Sequence, residues 1–115
     1  MNYETRCVKI RLKPNSIEKV REWAQTLNER KEEALATLRD ESVILETVFL
    51  DQTEEGDFLI YLMKAESFEK AKTAVTHSVH AIDEYHQNFK RECWMDGKRL
   101  EMLVDLDRTH QNQIN

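Results

Sequence analysis

Polar and apolar positions alternate from Glu4 to Leu12, with Val8, Ile10 and Leu12 on one side and Cys7, Lys9 and Arg11 on the other. That period of two predicts a strand with one apolar face. Lys13-Pro14-Asn15-Ser16 stops it, because proline brings no amide to a continuing ladder, and Asn15 with Glu18 has the spacing of a capping box. The period then becomes helical. At about 100° per residue, Ile17, Val20, Trp23, Ala24, Leu27, Ala34, Leu35 and Leu38 cluster on one side. Lys31 interrupts the stripe, and a bend or restart is expected there.

Val43 to Leu50 and Phe58 to Ala65 read as second and third strands, joined by Asp51 to Asp57, where Gly56 can supply a positive φ. Ser67 is placed to cap the next helix, whose apolar positions are Phe68, Ala71, Val75, Val79, Ile82, Phe89 and Cys93. Unbroken to Trp94, it would be ~40 Å long, much longer than the strands, so a break is expected between Thr76 and His80. Asp96-Gly97 then reads as a turn. Leu100, Met102, Val104 and Leu106 alternate with Arg99, Glu101, Leu103 and Asp105 as a fourth strand, and Asp107 to Asn115 is a polar, frayed tail.

The order strand-helix-strand, twice, is the βαββαβ unit of ferredoxin-like α+β folds: a four-stranded antiparallel sheet with its helices on one face and strands one and three central. The domain spans residues 1–108, with a polar C-terminal tail at 109–115. Val8, Ile10, Leu12 and the apolar set of the fourth strand are assigned to the helix-covered face. On the other, Lys9 and Arg11 would oppose Glu101 and Asp105. The second and third strands are apolar on both faces. A strip of that size, several hundred Å² in extent, does not stay in water, so the open face is expected to pack on a second copy, burying Leu59, Tyr61, Met63 and Leu103 in a homodimeric α/β barrel.

Composition narrows the function classes. Of 115 residues, 40% are hydrophobic and 34% charged, with two glycines and one proline, which suits one domain of mostly regular structure. The net charge of −5 and the lack of any basic block beyond Lys90-Arg91 argue against nucleic acid or an anionic membrane as partner. No apolar run approaches the roughly 18 residues of a membrane span, and Met1 to Lys13 is too charged for a signal peptide, so a cytoplasmic location is expected. Cys7 and Cys93 form no CxxC pattern and read as reduced, buried thiols.

The run from His80 to Trp94, the opening Cys7-Val8-Lys9-Ile10-Arg11-Leu12-Lys13-Pro14 and the hairpin together resemble a family of small bacterial proteins of unknown function in the dimeric α/β barrel class. The resemblance extends from Cys7 to Arg108. It implies the fold and a dimer, and no activity. At the level of fold alone the architecture is similar to antibiotic-biosynthesis-type monooxygenases, muconolactone isomerases and haem-degrading monooxygenases, which hold a small-molecule pocket between helices and sheet.

His86 is the residue with most chemistry to offer. It falls at the centre of the stripe made by Val75, Val79, Ile82, Phe89 and Cys93, so its ring points at the sheet, and imidazole titrates near neutrality. Two readings stand: a core histidine satisfied by a main-chain carbonyl or by Glu46, Tyr61 or Tyr85, and a pocket acid–base residue. Glu46, alone among apolar neighbours, is either an edge charge that discourages strand addition or a pocket carboxylate. Tyr61, Arg11 and Trp23 are the other candidate lining residues. Trp23 and Trp94, at the stripe or its edge, read first as packing, with the lining of a cavity as the alternative for either. His77 and His80 lie on the polar side with Asp83 and Glu84, as ordinary surface pairs; if the helix breaks near His80, that residue and Asp83 become a cap or pocket rim. No complete metal motif, P-loop, GxGxxG or nucleophile elbow is present, so no metal or nucleotide cofactor is expected. The function expected is a small organic ligand bound by the homodimer, with cofactor-independent oxygenase or isomerase chemistry. The alternatives are a non-enzymatic accessory dimer and, less favoured, haem binding through His77, His80 or His86.

Overall fold

The computed structural model describes residues 3–108; the tail expected at 109–115 lies outside them. The elements run β1 (Glu4–Leu12), α1 (Ile17–Glu29), α2 (Lys31–Asp40), β2 (Val43–Thr53), β3 (Gly56–Ala65), α3 (Phe68–Thr76), α4 (Ala81–Cys93) and β4 (Trp94–Arg99). The strands form one antiparallel sheet in the order β2-β3-β1-β4, the arrangement of a ferredoxin-like α+β fold.

Both helical breaks fall where the side chains set them. The chain restarts at Lys31 after Arg30, whose amide returns to the Thr26 carbonyl. Between α3 and α4, the Ser78 hydroxyl accepts the His80 amide and donates to Asp83, offering the backbone a turn in place of helix. Ser67 caps α3 by accepting the Lys70 amide at 3.2 Å. The capping box at Asn15 does not form: Asn15 takes φ 63°, and Ser16 is the N-cap of α1 without a side-chain bond. The β2–β3 hairpin is longer than its apolar runs, pairing Thr53 with Gly56 across Glu54-Glu55, and Gly56 has φ 140°.

The fourth strand is Trp94–Arg99, and the Leu100–Leu106 assignment is corrected. α4 ends where the Cys93 carbonyl accepts the Lys13 amide at 2.7 Å, which brings Trp94 directly opposite Leu12. Gly97 is no turn: it lies opposite Ile10, and an added Cβ would meet Ile10 Cδ1 at 2.8 Å. After Leu100, whose amide bonds the Cys7 carbonyl, residues 101–108 form an extended arm without regular structure. Asp105 accepts from Thr5 and, with Asp107, from Lys64.

Register also reverses the expected faces of β3. Tyr61 lies opposite both Val8 and Val48, and Leu59 opposite Ile10 and Leu50, so these residues join the helix-covered core with Leu12, Val20, Trp23, Phe89 and Cys93. Phe58, Ile60 and Leu62 share the open face with Cys7, Lys9 and Arg11. Lys9 and Arg11 do not meet Glu101 and Asp105. Both cations lie over the Phe58 ring, at 4.3 and 4.7 Å, Lys9 pairs with Asp51 at 3.6 Å, and Arg11 donates to the Glu55 carbonyl. Cys93 is buried and Cys7 half-buried; both thiols are free.

Candidate functional site

Beneath α4 the core becomes aromatic and then polar. Trp23 from α1 stacks on Phe89 with ring centroids 4.5 Å apart, and its indole N–H donates to His86 Nδ1 at 3.0 Å. Tyr85, one residue earlier, turns to α1 and donates to Thr26 Oγ1. The His86 ring lies 6.5 Å from Tyr61 and 6.4 Å from Trp94, and Trp94 meets Tyr61 edge to face at 5.2 Å. Lys90, one turn beyond His86, sets its ammonium 4.6 Å from the centre of the Trp94 ring.

Trp23 supplies what neither sequence reading of His86 named. An indole N–H can only donate, so Nδ1 is the bare nitrogen and the neutral imidazole carries its proton on Nε2. Burial, with Lys90 nearby, lowers the His86 pKa to about 4. His86 is therefore a neutral hydrogen-bond donor at neutral pH, and Nδ1 is not free for acid–base work.

Two buried polar atoms, the Tyr61 hydroxyl oxygen and Trp94 Nε1, have no hydrogen-bond partner among the described residues. Tyr61 is 2% exposed, and burial, reinforced by the Glu46 charge, keeps it a neutral phenol. Native interiors pair nearly all such groups, so two together call for an explanation.

The surface end of this seam is charged. Glu46, opposite Met63 on the helix side of β2, lies in an exposed stretch of the strand, yet protein crowds its carboxyl enough that desolvation raises its pKa. Desolvation lowers Lys90 against the pull of Glu46 and Glu41. Glu41, just past α2, is raised to about 7 by burial and then by Asp83, Glu46 and Asp40. Exposure falls inward from Glu46 through half-buried Lys90 and His86 to buried Tyr61.

The candidates read from sequence thus divide. His86, Tyr61 and Trp23 come together, with Glu46 and Asp83 at the charged end. His80 is the N-cap residue of α4, its Nε2 2.6 Å from Asp40 Oδ2, and His77 is exposed at the end of α3. Arg11 is on the opposite face of the sheet. Sequence reasoning gave no role to Lys90, Glu41 or the Trp94 N–H. The spacing of Asp83, His86 and Lys90 at i, i+3 and i+7 was the available signal for Lys90. Among the described residues no cluster of three or more His, Cys, Asp and Glu side chains has the geometry of a metal site, and no helix is long and apolar enough to cross a membrane.

Two pockets lie elsewhere. One of about 710 Å³ runs between the arm and the open sheet face at Thr5, Cys7 and Leu62, and one of about 570 Å³ borders the α3–α4 turn at Ser78, His80 and Asp83.

Residues 3–111 match the model of a family described as "Family of unknown function (DUF6176)", and the chain belongs to that family. A crystal structure from Bacteroides thetaiotaomicron is similar in fold, with a TM-score of 0.54 and 20% identity over 87% of this chain and 97% of that one. That protein is described as a conserved protein of unknown function and possible oxidoreductase. No curated protein matches.

Proposed function

We propose that this member of a family of unknown function is a homodimer that binds a small organic molecule in the seam beneath α4, with His86 its central polar group. Cofactor-independent oxygenase or isomerase chemistry is the activity to assay. The observation that carries the reading is the Tyr61 hydroxyl, buried and unpartnered among the described residues, on the face of the sheet where exposure rises outward through His86 and Lys90 to Glu46. A structural core has no use for such a group, whereas a ligand that hydrogen-bonds to it gains binding energy without breaking a protein contact. His86 donates from Nε2, Trp23 fixes its ring, and Glu46 is the carboxylate placed to exchange a proton. The description of the Bacteroides protein as a possible oxidoreductase agrees with the oxygenase class, although that likeness is one of fold.

The dimer rests on the other face. Phe49 is 57% exposed, and on the arm Leu103 and Leu106 are 82% and 91% exposed. An extended apolar segment of this kind suits a self-complementary contact across a two-fold axis.

The competing reading is an accessory dimer in which the Trp23–His86 bond is purely structural. A thermal-shift screen of small aromatic and alicyclic compounds separates the two. A binder is expected to raise the melting temperature of the wild type, with the shift lost in His86→Ala and Tyr61→Phe. A screen without hits, or hits indifferent to both substitutions, decides for the accessory dimer.

A further inference from the structure

The polar groups beneath α4 are unequal in kind. Tyr61 brings an O–H and Trp94 an N–H, both buried and without partners among the described residues, on rings 5.2 Å apart. His86 brings a third donor, because Trp23 occupies Nδ1 and leaves the proton on Nε2. Lys90 brings a fourth beside Trp94. The Glu46 carboxylate, on the same side of the sheet, is an acceptor. Neither an indole N–H nor an ammonium can accept a hydrogen bond, so whatever completes the hydrogen bonding must bring lone pairs.

Three further observations limit what brings them. The rings of Tyr61, His86 and Trp94 lie at contact distance, with centroids 5.2 to 6.5 Å apart, so a ligand that parts them and is itself flat and unsaturated replaces ring contact with ring contact. The close packing of Tyr61 admits only a small one. Glu41 and Glu46 act on Lys90, and Asp83 adds its negative charge beside both carboxylates, which disfavours a full negative charge on the ligand.

We infer that the seam takes a small, neutral, conjugated carbonyl compound, whose oxygen accepts from the Tyr61 hydroxyl and the Trp94 indole N–H. This rests on the seam being the ligand site and adds the chemical class. The carbonyl oxygen enters first, toward Tyr61, and the remainder of the molecule points back along Lys90 and Glu46. An ammonium in the place of that oxygen would set donor against donor at the Trp94 N–H, which cannot accept.

The test uses three probes of nearly one shape: acetophenone, 1-phenylethylamine and ethylbenzene. Each is titrated into the ¹⁵N-labelled full chain while the two indole N–H signals are followed, with Trp94→Phe identifying the Trp94 signal. Acetophenone is expected to move the Trp94 signal downfield and leave the Trp23 signal in place. Its affinity should fall ~10-fold in Tyr61→Phe, the loss of one buried hydrogen bond, and the amine and the hydrocarbon should leave Trp94 unmoved. Tyr61→Phe keeps the ring and removes an unpartnered group, so the variant should remain folded. If the amine binds at the Trp94 signal as tightly as the ketone, or ketone binding ignores Tyr61→Phe, the carbonyl assignment is overturned while the site stands. If neither these probes nor any thermal-shift hit moves the Trp94 signal, the seam itself is not a ligand site.

Discussion

Trp23 donates its indole N–H to Nδ1 of His86 at 3.0 Å while stacking on Phe89, so one side chain both packs the core and sets the tautomer of the histidine. The bond holds Nδ1 unprotonated, acting in the same direction as burial. Trp23→Phe keeps a ring and deletes the donor. The His86 pKa should rise from about 4 toward its ordinary 6.5, and stability should fall by about 1–3 kcal/mol through the lost bond and ring volume. An NMR titration of the imidazole and urea unfolding measure the two effects. An unchanged pKa would show that burial alone sets it.

Stability should respond to pH through two opposed groups. The His86 pKa is lower in the folded chain, so the unfolded chain binds more protons between pH 4 and 6.5. Its contribution is complete above 6.5 and lost as pH falls toward 4, on the order of 3 kcal/mol. Glu41 runs the other way. Raised from 4.5 to about 7, it favours the folded state below pH 4.5 and loses that contribution as pH rises through 7. Glu41→Gln should therefore be more stable than wild type at pH 8, by about 1 kcal/mol after allowance for its partial exposure, with no gain at pH 4. Unfolding curves at the two pH values check this; equal differences at both would remove Glu41 as the titrating group.

The fold was legible wherever one signal dominated. The β2–β3 hairpin, the restart at Lys31 and the break between Thr76 and His80 follow from turn residues and helical period. Two features were not legible, for different reasons. Leu100 to Leu106 alternates better than Trp94 to Arg99, but alternation cannot show that the Cys93 carbonyl bonds Lys13 and so brings the next residues, Gly97 included, into the ladder. And β3 is apolar on both sides, so its period of two sorts residues into two sets without saying which is inside. Tyr61 therefore reads both as a lining residue and as part of the dimer face, and only the register puts it beneath the helices with His86; the Trp23–His86 bond joins residues 63 positions apart.

Gly97 gives a packing prediction that depends on Ile10. A Cβ at residue 97 would approach Ile10 Cδ1 to 2.8 Å and Val8 Cγ1 to 3.4 Å, and Ile10 is buried in the core. Gly97→Ala should cost about 1–3 kcal/mol by overpacking. Ile10→Val removes the atom in conflict at its own cost of about 1 kcal/mol. The double variant should thus be more stable than the sum of the singles predicts, and denaturant unfolding of all four proteins gives the coupling. Strict additivity would mean that the strand relaxes away from Ile10.

Lys64 is the residue through which the arm can be separated from the sheet. Its side chain is 13% exposed and its ammonium bonds Asp105 at 3.3 Å and Asp107 at 2.6 Å, holding residues 101–108 at the open face with Met102, Leu103, Val104 and Leu106 exposed. If that apolar outer surface meets a second copy, Leu103→Asp places a charge in the contact and Lys64→Ala frees the arm that presents it. Sedimentation should find a dimer for the wild type at micromolar concentration. Dissociation should be strengthened at least ~10-fold in each variant, since a buried unpaired charge or a lost anchor costs more than about 1.4 kcal/mol. The helix-covered core touches neither residue, so far-ultraviolet circular dichroism should stay unchanged. A monomeric wild type at that concentration would refute the dimer and leave the site beneath α4, on the other side of the sheet, to be judged by ligand binding alone.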